Sequence, residues 1–109
     1  MNIKQLQRSA AETTRIILED LEILLDTKDP VKIWNHPEKQ TAFEIVGQYR
    51  HKSPKTVKIR VQTLNDLIHG KAYNSIHKAA HTYVIGAIRH GALSEAQEEA
   101  VFKALANPA

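Results

Sequence analysis

The chain has 109 residues, no cysteine and a formal net charge of +3. That length suits one domain able to bury a core without metal or disulfide staples, and the missing thiols exclude cysteine catalysis, disulfides and Cys-ligated zinc together. No apolar run approaches the roughly 18 residues of a membrane span, and the opening MNIKQLQRSAAE lacks the apolar stretch of a secretory signal, so a soluble cytoplasmic protein is the expectation.

Residues 1–28 read as one long helix without Gly or Pro. Leu6, Ala10, Thr14, Ile17, Leu21 and Leu24 recur by fours and threes, and Ile3, Ile16 and Leu25 widen the stripe. Glu19, Asp20, Glu22 and Asp26 alternate with that stripe and read as a solvated face. The seam can pack on the rest of the chain or on a second copy, and a homodimer is expected. Asp29-Pro30 then gives an N-cap followed by proline at the first helical position, opening the short element VKIWN. His36-Pro37 stops it, and Pro37 starts EKQTAFEIVGQYR, in which Phe43 and Val46 face the core.

Ser53-Pro54 repeats the start signal, and Val57, Val61, Leu64 and Ile68, with Leu67 beside them, follow at helical spacing until Gly70. Val57, Ile59 and Val61 also alternate with Lys58 and Arg60 as a strand would. The helical spacing continues past Val61 with no turn residue before Ile68, which favours the helix. Asn74 can cap a further helix with the stripe Ile76, Ala79, Ala80, Tyr83, Val84 and Ala87. Ile85 and Ile88 lie off that stripe, so this helix is predicted to be central and touched on more than one side. After Gly91, Ser94-Glu95-Ala96-Gln97 is a capping box for the last helix. The predicted fold is all-α: a compact bundle of about five main helices and one short one, with a helix-turn-helix in 38–70 and a helical hairpin in 74–106.

Charge is unevenly distributed along this frame. Ile45 to Asn65 contains no Asp or Glu and carries Arg50, Lys52, Lys55, Lys58 and Arg60. Residues 45–94 hold eight basic side chains against one acid, whereas both flanks are slightly acidic. A positive middle is the composition of a surface for a polyanion, although a basic face with no partner has the same composition. On a helical wheel the arc opposite Val57, Val61, Leu64 and Ile68 holds Lys55, Lys58, Ile59, Gln62, Asn65, Asp66 and His69. Lysine can donate to guanine O6 and N7, glutamine can pair with adenine N6 and N7, and an aliphatic tip can meet a thymine methyl. Arg50, His51, Lys52, Ser53 and Arg60 are placed for phosphates, and the free amides after Ser53 attract anions.

SPKTVKIRVQTLNDLI resembles the recognition helix of LuxR-type and response-regulator helix-turn-helix domains. The matching residues are Ser53, Lys55, Thr56, Val57, Lys58, Val61 and Leu64, and the resemblance puts Lys55 and Lys58 at the DNA. It covers about sixteen of the 109 residues. Gly47 and Val46 fit the family's preceding helix, whereas Arg50 and His51-Lys52 stand where the family has an apolar residue and a Gly-aliphatic turn. The implied function is a small dimeric transcriptional regulator of bacterial or phage type, bound to double-stranded DNA.

Other chemistry finds little footing. His77 and His81 lie one turn apart, as two metal ligands can, but Lys-Ala-Ala between them supplies no catalytic glutamate. Partly buried histidines bonded to a neighbouring helix are the preferred reading, with no metal and no cofactor. There is no Gly-rich phosphate loop and no strained serine turn, so an enzyme is not expected. The competing function is a helical protein-binding module, an inhibitor, antitoxin-like partner or adaptor, using the N-terminal helix or the basic middle. RNA carries the same charge demand, but the basic stretch has only Tyr49 to stack on unpaired bases.

Overall fold

A computed structural model describes residues 3–71 and 77–106, with side chains from 10 to 71 and from 79 to 106. Six helices follow in chain order: α1 (Ile3–Leu25), α2 (Pro30–Trp34), α3 (Lys39–Tyr49), α4 (Pro54–Ile68), α5 (His77–Arg89) and α6 (Glu95–Ala106). The starts of α2, α4 and α6 are fixed locally, by side chains that take up backbone amides left free in a first turn. Asp29 Oδ1 accepts from the Val31 amide at 2.9 Å, and Ser53 Oγ from the Thr56 amide at 3.1 Å. In the capping box, Ser94 Oγ accepts from the Gln97 amide at 3.1 Å, while Gln97 Oε1 accepts from the Ser94 amide at 2.9 Å. Asn74, the predicted cap of α5, and Ile76 lie outside the described residues.

The helix over residues 54–68 is unambiguous, and it explains the strand-like alternation seen in its sequence. Val57, Val61, Leu64 and Leu67 are fully buried, while Ile59 stays 39% exposed on the opposite side. This helix is the most enclosed in the fold, with α2, α3, α5 and α6 all packed on it. The sequence assigns a central place to α5, which indeed touches α1, α4 and α6, yet its Ile85 is exposed. Phe43 and Val46 of α3 enter the same core, together with Ile33 of α2 and Val101 of α6.

The buried stripe of α1 differs from the predicted one. Ala11, Thr14, Ile17, Leu18, Leu21 and Leu25 are buried, whereas Leu24 is exposed and Ala10 and Ile16 are half-buried. The reason is tertiary: α5 lies along one flank of α1 and α3 along another, which rotates the covered arc toward Leu18 and Leu25. Two carboxylates predicted to be solvated are paired within the protein, Asp20 largely buried and Glu22 still 39% exposed. Asp20 pairs with Arg50 at 2.7 Å, and Glu22 Oε1 lies 2.9 Å from His90 Nε2.

The α1–α5 crossing is close because Gly86 has no side chain. A Cβ there would meet the Ala11 carbonyl oxygen at 2.5 Å and Thr14 Cβ at 2.7 Å. Alanine is the better helix former by about 1 kcal/mol, but the obstacle is backbone and cannot rotate away. Gly86→Ala is therefore expected to destabilise by about 2 kcal/mol, roughly 10 °C in Tm, as read by thermal melting; an unchanged or raised Tm contradicts this crossing.

Candidate nucleic-acid interface

The segment from α3 through the turn into α4 is held by backbone geometry. At the end of α3, the His51 amide donates to the Gln48 carbonyl at 3.3 Å and the Lys52 amide donates to the Gly47 carbonyl at 2.7 Å. This is the pattern of a Schellman cap, which requires a left-handed residue just beyond the helix. His51 is that residue, at φ +57°. The ends of α4 and α5 close in the same way, but there Gly70 and Gly91 take the left-handed position. Gly47 lets the chain fold back tightly, since a Cβ on it would come within 2.7 Å of the Lys52 carbonyl oxygen.

Past the turn, α4 enters the core along Val57, Val61, Leu64 and Leu67, leaving one narrow outward stripe. Lys55, Lys58 and Ile59 are exposed on it and Gln62 is half-exposed, with Lys52 and Ser53 exposed just before it. The residues recur at three and four positions, so they share one face. Among the described residues none of Lys52, Lys55 and Lys58 pairs with a carboxylate. Lys58 Nζ lies 6.0 Å from the centre of the Trp34 ring, and Lys39 Nζ stacks on the same indole at 3.8 Å. Trp34, isolated in the sequence, thus joins a cationic ridge beside α4.

The two arginines of the predicted contact set are engaged elsewhere. Arg50 forms a fork with Asp20, from Nε at 2.7 Å and Nη2 at 3.0 Å. The hydrogen bonds to Asp20 raise the Arg50 pKa despite partial desolvation. Arg60 donates from Nε to Thr14 Oγ1 at 3.2 Å and from Nη1 to the Thr56 carbonyl at 2.7 Å, with its guanidinium 5.1 Å from the Tyr83 ring centre. Burial pushes the Arg60 pKa down, and Tyr83 opposes that shift. Both arginines anchor α4 and its turn to α1 and α5, and neither points freely outward.

Beyond Gln62 the stripe changes character. Asp66 pairs loosely with Lys71 at 3.8 Å, and His69 Nδ1 lies 2.7 Å from the Asn65 carbonyl oxygen. These side chains line an open polar pocket of about 390 Å³ with Trp34 and Asn35. The cationic part of the surface is therefore the N-terminal half of α4 and the turn before it.

Comparison with known proteins finds no matching family model, curated protein or solved structure.

The histidine readings divide. His81 is exposed rather than partly buried, and the His77 side chain lies outside the described residues. The half-buried histidine bonded to a neighbouring helix is His90, facing Glu22. No group of three His, Cys, Asp or Glu able to hold a metal is present among the described residues, and no described helix is long and apolar enough to cross a membrane.

His51 gives a test of the turn. An L-residue in the left-handed region costs roughly 1–2 kcal/mol, and β-branched side chains tolerate it least. His51→Gly is expected to leave the urea unfolding midpoint unchanged or slightly raised, and His51→Val to lower stability by about 1–2 kcal/mol. Equal effects of the two changes contradict the cap.

Proposed function

We propose that this chain is a helix-turn-helix DNA-binding protein, a small transcriptional regulator acting as a two-fold pair, with α3 and α4 as the motif and α4 in the major groove. The observation that carries the reading is the outward stripe of α4, Lys55, Lys58, Ile59 and Gln62, whose lysines pair with no carboxylate among the described residues, on a helix whose other sides are sealed into the core. Lys55 and Lys58 reach guanine O6 and N7, Gln62 pairs with adenine, and Ile59 meets a thymine methyl. Lys52, Ser53 and the first amides of α4 hold phosphates. Arg50 and Arg60, engaged within the protein, position the helix instead of touching DNA. The competing reading, a module that binds another protein, draws its support from the exposed Ile23, Leu24, Ile45 and Tyr49 on α1 and α3.

Duplex binding titrated against salt tests the proposal. Affinity is expected to fall steeply with salt, with a log–log slope that Lys52→Ala makes shallower by about 1 and with similar losses on every sequence. Gln62→Ala is expected to cost roughly 1–3 kcal/mol on the preferred site, selected from a random duplex pool, and little on other sites. The absence of duplex binding at low salt ends the proposal.

Arg60 separates support from contact. Arg60→Ala is expected to lower unfolding stability by about 1–3 kcal/mol while leaving the salt slope of duplex binding unchanged. A shallower slope with unaltered stability would instead make Arg60 a phosphate contact.

A further inference from the structure

Of the seven large apolar side chains exposed among the described residues, four gather in one place: Ile23 (75% exposed) and Leu24 on α1, and Ile45 and Tyr49 (70% exposed) on α3. They line an open cleft of about 420 Å³ between the two helices, with the Asp20–Arg50 pair in its wall. At about 200 Å² for a fully exposed large side chain, these four offer on the order of 400 Å² of apolar surface. A standard-size interface takes roughly 800 Å² from each partner, a little over half of it apolar. The exposed surface of these four side chains, in and around the cleft, thus approaches the apolar area that one side of such an interface needs, and a second copy brings the same amount by symmetry.

The cleft also carries both signs of charge, Glu19 and Asp20 against Arg50. These charges are paired within the protein, Asp20 with Arg50 and Glu19 with Arg15, so the cleft sets no unpaired like charge against its own copy. None of Lys52, Lys55, Lys58, Ile59 and Gln62 lines it, so its occupation leaves the outward stripe of α4 open.

We infer that a second copy of this chain docks on the α1–α3 cleft, with α1 and α3 of each protomer packed against α1 and α3 of the other about a two-fold axis. The pairing stands on the cleft itself, and only its use in spanning two half-sites rests on the DNA-binding reading.

Sedimentation equilibrium of the full chain over a wide concentration range tests the pairing. The unmodified chain is expected to reach the dimer mass. Ile23→Glu and Tyr49→Glu are each expected to weaken association by about tenfold or more, with unchanged circular dichroism at low concentration, because both side chains are largely exposed. Phe102→Glu, on an exposed residue of α6, is expected to leave association intact. A chain that stays monomeric at the highest concentration overturns the inference, as do Ile23 and Tyr49 variants that associate like the parent. Dissociation by Phe102→Glu alone moves the contact to the C-terminal hairpin and overturns it too. A dimer that binds no duplex keeps the pairing and sinks the DNA reading, while duplex binding by a persistent monomer does the reverse.

Discussion

Complete burial of Val57, Val61, Leu64 and Leu67 is the constraint on which the rest of the molecule depends. These side chains fix the rotation of α4 about its own axis, and four other helices close on it as a result. A helix enclosed on so many sides has little surface left to vary, so the identity of its outward residues is decided by geometry before any ligand is considered. The turn before the helix enforces the same rotation from the other end, through the Gly47 carbonyl and the left-handed His51.

The parts legible in the sequence are those governed by neighbours a few residues away. Asp29, Ser53 and Ser94 cap where their spacing says they should, because a cap needs only its own first turn. Gly70 and Gly91 close helices for an equally local reason. Phe43 and Val46 reach the core on the face of α3 that their spacing marks. The elements and their order follow from such signals.

What stayed hidden depends on which helices meet. Leu18 and Leu24 are equally apolar, and only the positions of α3 and α5 decide that one is covered and the other is not. Asp20 and Glu22 read as solvated because their partners, Arg50 and His90, lie 30 and 68 residues away. Arg60 counts toward the positive middle of the chain, yet its guanidinium is spent on Thr14, Thr56 and Tyr83. Of the candidate contact residues, the lysines, Ser53 and Ile59 are exposed, while Gln62 and both arginines are half-buried and the arginines are hydrogen-bonded within the protein. Arginine suits that inward work, since its planar fork satisfies several acceptors at once while its stem packs against apolar neighbours. One signal was available in advance: the wheel already sets Arg60 on the flank of the buried stripe.

A single oxygen ties together two segments that are far apart in the chain. Asp29 Oδ1 accepts both from the Val31 amide and from Gln97 Nε2, at 2.9 and 3.0 Å, while the same Gln97 caps Ser94. The beginnings of α2 and α6 therefore share one hydrogen-bonded relay, and fraying at either end strips a partner from the other. Because α2 and α6 both pack on α4, this joint makes the last helix a brace for the central one.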